Sequence, residues 1–261
     1  VDGVRSWCEA GVAKTGWDLS KIPDACNTTL EMLSGGNGDG DSKDNVLLRL
    51  YNDLCAKGFD ADVDVETIED RFVWRTNLCM FLSWAVPNAK ALQTLVDLQK
   101  PILEMGAGTG YWAWLLSQRG VDVAAYDLPD SQSGQKHRFR HSIVKDGSIE
   151  QVKAPENADR VLVVCWPDYV GDSTQDDADR GDFGAETLKA YQGDTVVHIG
   201  ELESTGVAAA AEGWGNPFPP GGSSTSAGFQ KELVANFELK ETVHLPNWPP
   251  YNSHMTVWTR K

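Results

Sequence analysis

Glu104, the glycines at 106, 108 and 110, and Asp127 are the residues of this chain whose types and spacing could do chemistry together. Glu104 lies near the end of an apolar run, Pro101 to Met105, and the turn Gly106-Ala107-Gly108-Thr109-Gly110 follows it. Next comes a helical pattern carrying Trp112, Leu115 and Leu116, then a β-branched run from Val121 to Tyr126 that stops at Asp127. Strand, tight turn, helix, strand, acid is the order of a βαβ unit. Its turn lets backbone approach a ligand closely, and each carboxylate can accept hydrogen bonds from amines or hydroxyls. This is the order that cradles an adenosine-bearing cofactor.

The glycine spacing bears on which cofactor. A dinucleotide site wants G-x-G-x-x-G, so that a helix N-terminus can lie against a pyrophosphate. Here the turn is G-x-G-x-G, and Tyr111 stands where the third dinucleotide glycine would fall. A bulky ring there is expected to hinder a diphosphate. S-adenosyl-L-methionine carries no phosphate and needs close backbone approach plus acceptors for its ammonium and ribose hydroxyls. Glu104 and Asp127 sit where those acceptors belong, with Ala107 and Leu128 flanking them. The stretch resembles motif I and the following acidic position of the class I S-adenosylmethionine-dependent methyltransferases.

The elements that must position these residues alternate along the chain. Helical spacing runs from Asn45 to Ala56, again from Val65 through Trp84, and from Asn88 to Gln99, where Pro101 ends it. Strands are expected over 143–145, 160–165 and 194–200, a short helix over 187–191 and another over 229–236. Residues 237–245 and 255–260 alternate around the turn-rich PNWPPYNS as two antiparallel strands do. Residues 1–33 are read as short helices, and the Gly/Pro/Ser-rich stretch 204–227 as a lid or mobile loop. The fold expected is α/β: a Rossmann-like seven-stranded methyltransferase sheet, mostly parallel, closed by a C-terminal antiparallel hairpin. A helical N-terminal extension or cap over 1–87 precedes a methyltransferase-like domain over 88–261.

Ligands of open α/β sheets lie beyond the carboxyl ends of the strands. That rule adds Asp146 and Ser148 after the third strand, Cys165 to Tyr169 after the fourth, and Glu201 after the fifth. By the family analogy Asp146 or Ser148 contacts the adenine amine, a D-G-S turn being the plain alternative. Cys165 borders the cofactor; Trp166, Pro167 and Glu201 would line a substrate pocket; Asp168 and Tyr169 are the catalytic candidates. The segment Trp166-Pro167-Asp168-Tyr169 resembles the [D/N/S]-P-P-[Y/F] pattern of amino-methyltransferases but departs at its first and third positions. Two readings stay open: an aromatic wall of Trp166 and Tyr169 that attracts a sulfonium, with Asp168 as general base, or packing around a buried Trp without chemistry. His198 reads as a satisfied core residue, and His244 and His254 as exposed.

Composition narrows the partners. Thirty-eight acids against 23 bases give a net charge of −15, which weighs against nucleic-acid substrates, whose binding rests on Lys and Arg. The basic cluster Lys136 to His141 reads as a solvated face ahead of a phosphate site. No apolar run approaches the roughly 20 residues that cross a bilayer. Five widely spaced cysteines form no zinc pattern, so no metal is implied. They read as reduced thiols of a soluble intracellular protein, cytosolic or organellar, with a Cys8–Cys26 disulfide as the alternative in an oxidising compartment. The N-terminus lacks an initiator Met and reads as processed.

The combination SWAVPNAKAL, EMGAGTGYWAWLL, RGVDVAAYD, VCWPDY, DTVVHIGE, LPNWP and VWTRK resembles a methyltransferase-like family of protists, algae and fungi over roughly residues 70–261. In that family the strand-four end usually reads W-P-P-Y, so Asp168 is a departure there too. The resemblance implies a methyltransferase using S-adenosyl-L-methionine on a small molecule or a protein. The alternative is a structural or assembly subunit of a larger complex that keeps the fold without turnover. A nicotinamide oxidoreductase stands third.

Overall fold

The computed structural model describes residues 11–13, 45–56, 75, 78–129, 139–167, 182–202, 224–248 and 251–261. Asp168, Tyr169, Lys136 to Arg138, the stretch 203–223 and almost all of residues 1–33 lie outside the described residues.

The chain runs β1 (Gly11–Ala13), α1 (Val46–Ala56), α2 (Ala89–Asp97), β2 (Ile102–Met105), α3 (Tyr111–Ser117), β3 (Val123–Asp127), β4 (Phe139–His141) and β5 (Val144–Asp146). It continues through α4 (Glu150–Lys153), β6 (Val161–Cys165), α5 (Phe183–Ala190), β7 (Thr195–Gly200), α6 (Ala227–Asn236), β8 (Phe237–His244) and β9 (His254–Arg260). Seven strands form one sheet in the order β5-β3-β2-β6-β7-β9-β8. The first five are parallel, whereas β9 inserts antiparallel between β7 and β8. This is the Rossmann-like methyltransferase sheet. An all-parallel dinucleotide fold has no such inserted strand.

The central strands are buried on both faces, which is why β2, β6 and β7 read as nearly continuous apolar runs. One face packs on α1, α2, α3 and residues 78–86, so Leu47, Leu82 and Leu92 share a core with Ile102, Val163 and Met255. The other face packs on α5 and α6 through Leu188, Phe229 and Leu233 against Leu103, Leu162 and Val196. Each fully buried side chain of this size contributes about 1.5–3 kcal/mol. Capping fixes where the helices enter: Asn88, Asp182 and Ser226 accept from the amides of Ala91, Ala185 and Phe229, worth about 1 kcal/mol each. Asp182 also accepts from the Ser226 hydroxyl at 2.6 Å, tying the starts of α5 and α6 together.

Several expected elements shift. The helix expected through Trp84 ends at Phe81, and residues 82–88 run irregularly to the cap of α2. There Thr109 Oγ1 donates to the Leu82 carbonyl, so the glycine turn holds that segment. The helix expected at 187 starts at Phe183, because the Asp182 cap sits five residues upstream of that position. The described part of residues 1–33, β1, is a strand paired with β4 rather than a helix. Among the described residues no helix is long and apolar enough to cross a membrane.

His198 is enclosed within β7, its Nε2 2.8 Å from Thr225 Oγ1, and burial pushes its pKa down to about 3. The unfolded chain therefore binds a proton that the fold refuses between about pH 6.5 and 3, and the contribution of this residue to stability falls as pH drops through that window. His198→Leu is expected to remove that loss, seen as a urea midpoint at pH 4 that is higher relative to the pH 7 midpoint than in the unmodified chain. The same relation between the two midpoints in both chains would mean the ring does not cause the loss. His254, expected exposed, is buried. It faces His244 across β8 and β9 with the ring nitrogens 2.9 Å apart, and only His244 remains open to solvent.

Candidate functional site

The site assembles at the carboxyl ends of β2, β3, β5, β6 and β7. Strand β2 delivers Glu104 one residue before its end, and the chain turns at once through Gly106, Gly108 and Gly110, all at positive φ (68°, 57° and 82°). Asp127, the last residue of β3, grips that turn: Oδ2 accepts from the Gly108 amide at 2.5 Å and Oδ1 from the Leu128 amide at 2.7 Å. The Ala107 amide donates to the Tyr126 carbonyl at 3.0 Å, completing the clasp between the turn and β3. These bonds use one lone pair on each carboxylate oxygen and leave others to accept hydroxyls.

Glu104 is only 2 % exposed, and its Oε2 meets no hydrogen-bond partner among the described residues. Burial pushes its carboxyl up to about 8; the Ala113 amide pulls it down, and the charge of Asp127 pushes it further up. A buried carboxylate left unmatched is costly, so the position favours either a bound proton or a cation brought by a ligand. The Phe183 ring at the start of α5 lies over Gly106, where a Cβ would come within 3.1 Å of it.

Tyr111 does not stand over the turn. Its ring is buried in the core, its hydroxyl lies 3.0 Å from Asn45 Oδ1, and it accepts from the Leu47 amide. The side chain therefore pins the start of α1 to the base of α3. The sheet order, rather than bulk at Tyr111, separates this fold from a dinucleotide one.

Asp146 ends β5 directly opposite Asp127, so the two acids are cross-strand neighbours. Ser148 hydrogen-bonds its own turn, its Oγ accepting from the Glu150 amide at 3.4 Å. Arg140 and His141, read from sequence as part of a solvated face, are buried. Arg140 turns inward to an ion pair of 2.9 Å with Asp146. The signal was legible as a basic cluster, but not which of its members would fold inward.

Across the sheet, Cys165 closes β6; burial pushes its thiol well above the ordinary range, against bonds from Ser83 and the Ala85 backbone. Trp166 follows at φ 50°, its amide bonded to the Ile199 carbonyl at 2.8 Å. Its indole stacks on Trp84 (centroids 5.6 Å), meets the edge of Tyr251 (5.2 Å) and donates to Ser253 Oγ at 3.1 Å. The cation held by these rings is the chain's own: the Arg75 guanidinium lies 3.8 Å from the Tyr251 centroid, 5.2 Å from Trp84 and 5.3 Å from Trp166. Pro167 follows directly. Glu201, just beyond β7, is buried and accepts from the Asn252 amide at 2.9 Å. Sequence reasoning missed Arg75, Tyr251 and Ser253, which no local motif marks. Among the described residues no cluster of three or more His, Cys, Asp or Glu could hold a metal ion.

Solved structures, methyltransferases among them, are similar to this chain. Magnesium protoporphyrin IX methyltransferase from Synechocystis PCC 6803, crystallised with bound SAH, aligns at a TM-score of 0.40 and 12 % identity over 82 % of this chain and 99 % of its own. The methyltransferase CalO6 aligns at 0.39 and 20 % identity over 91 % of both chains. The pyocyanin biosynthetic protein PhzM aligns at 0.40 and 14 % identity over 91 % of this chain and 68 % of its own. No protein-family profile and no curated protein matches the sequence. The fold assignment rests on the strand order.

Proposed function

We propose that this chain is an S-adenosyl-L-methionine-dependent methyltransferase acting on a small molecule or a protein side chain. The observation that carries this reading is Glu104: a buried carboxyl with one oxygen that meets no partner among the described residues, at the foot of a glycine turn that Asp127 holds open from the next strand. Glu104 suits the cofactor's ammonium and Asp127 its ribose hydroxyls. Gly106, Ala107, Gly108 and Gly110 supply the close backbone approach, Leu128 borders the adenosine, and Asp146 or Ser148 takes the adenine amine. When bound, the cofactor supplies an electrophilic methyl on a sulfonium. The chain's part is to align the acceptor and exclude water, which needs positioning more than reactive side chains. Cys165, Trp166, Pro167 and Glu201 bound the acceptor side, and Asp168 and Tyr169 are the proposed catalytic pair.

One observation favours the second reading, a methyltransferase-like structural or assembly subunit. Trp166 is committed to Trp84, Tyr251, Ser253 and Arg75, so the strand-four end offers no free hydrogen-bonding group at that side chain. Titration calorimetry separates the two. S-adenosylmethionine and S-adenosylhomocysteine are expected to bind in the micromolar range, and Asp127→Ala to weaken both by at least about tenfold as its two amide bonds are lost. Binding of neither ligand would remove the enzyme reading and promote the subunit; tight binding of NADH would overturn the cofactor assignment.

A further inference from the structure

Arg140 sits between the two acids proposed to hold the adenosine. It is 8 % exposed and extends from β4 to the carboxyl ends of β3 and β5. One terminal nitrogen pairs with Asp146 Oδ1 at 2.9 Å and reaches the Leu128 carbonyl at 3.5 Å; the other reaches the Asp127 carbonyl at 3.4 Å. Its Nε–H is enclosed and meets no acceptor among the described residues. Arginine presents five donors in a fixed fork and no acceptor, and leaving one enclosed N–H unmatched costs free energy. Asp146, by contrast, is open, its side chain 66 % exposed.

A guanidinium donor beside a carboxylate acceptor is a two-part reader. Adenine presents its complement on two edges: the 6-amine donor lies next to the N1 acceptor on one side and the N7 acceptor on the other. Both groups belong to the rim that holds Asp127, since Asp146 is its cross-strand neighbour. With Asp146 accepting from the 6-amine as proposed above, we infer that Arg140 is the second reader of the base, its Nε–H donating to the adjoining ring nitrogen. Arg140 thereby also sets the Asp146 carboxylate in place. This rests on the proposed adenosyl cofactor and adds the residue that selects its base.

The test is calorimetric, with S-adenosylhomocysteine, its 1-deaza, 7-deaza and 3-deaza analogues, and S-inosylhomocysteine, against the unmodified chain, Arg140→Met and Arg140→Lys. The unmodified chain is expected to bind one of the 1-deaza or 7-deaza analogues about tenfold more weakly than S-adenosylhomocysteine, and the 3-deaza analogue equally well. S-inosylhomocysteine, which turns an oxygen toward Asp146, is expected to be rejected more strongly still. In Arg140→Met the penalty for the sensitive deaza analogue disappears. Arg140→Lys, which keeps the charge beside Asp146 but lacks the Nε–H, loses it as well while retaining rejection of the inosyl ligand. Equal affinity of the unmodified chain for all three deaza analogues, or an unchanged penalty in Arg140→Met, would overturn the assignment. Failure of the unmodified chain to bind S-adenosylhomocysteine at all would instead remove the cofactor reading and this inference with it. Thermal melts of both variants show whether any loss is one of folding.

Discussion

Gly110→Ala is expected to destabilise the folded chain by about 2–5 kcal/mol, the sum of two costs that a milder glycine site separates. Gly110 has φ 82°, where an L side chain costs about 1–2 kcal/mol. A Cβ there would drive into Val144 Cγ2 and come within 3.3 Å of Ile143 Cγ2 and 3.5 Å of His141 Cβ. Relieving such overlap in a packed interior costs about 1–3 kcal/mol more. The segment pressed is the one joining β4 to β5, which the Thr109 carbonyl holds through the His141 amide at 2.8 Å. Gly120 is the internal control: φ 79°, with nothing within 4 Å of its Cβ position, so Gly120→Ala carries the backbone cost alone. Urea unfolding of both variants should place Gly110→Ala well below Gly120→Ala. If the two lose stability equally, the third glycine is required by its backbone angle and not by the approach of β5.

That close approach was not visible in the sequence, although the turn itself was. The βαβ unit from Ile102 to Asp127 is legible because local signals agree there: an apolar run, glycines at fixed offsets, helical spacing, then a second run ending in an acid. The closing β8–β9 pair is legible for the same reason, since alternation flanks a turn. What sequence reading missed is made by contacts between distant segments. Tyr111 looked like an obstacle to a ligand because it stands where a dinucleotide turn has its third glycine; its actual neighbour is Asn45. Trp166 offered two readings, and the Arg75 guanidinium that its ring faces lies far upstream of the motif. Arg140 was one of several cations in a row, and only the apposition of β3 and β5 draws it inward.

Glu104 should make stability fall as pH rises, the reverse of an ordinary carboxylate. Its folded pKa is raised by burial from 4.5 to about 8, so between those values the folded state holds a proton that the unfolded chain has released. Stability is full below about pH 4.5 and is lost progressively as pH climbs toward 8. At about 1.4 kcal/mol per unit the whole shift is worth on the order of 5 kcal/mol. His198 works in the opposite sense, but its window closes near pH 6.5, which among the described residues leaves the interval from 6.5 to 8 to Glu104. Over that interval the urea midpoint of the unmodified chain should drop, whereas that of Glu104→Gln should stay level, because the amide carries no proton to lose. The same carboxyl gives a signature on binding. An ammonium placed beside Oε2 favours the ionised form, so complex formation near neutral pH should expel a proton. The heat of S-adenosylhomocysteine binding would then differ between phosphate and Tris by the ionisation heat of the buffer, and in Glu104→Gln it would not. A buffer-independent heat in the unmodified chain would mean that Glu104 keeps its proton and that the ligand's cation lies elsewhere; a midpoint that rises from pH 6.5 to 8 would mean that the carboxyl is already ionised in the fold.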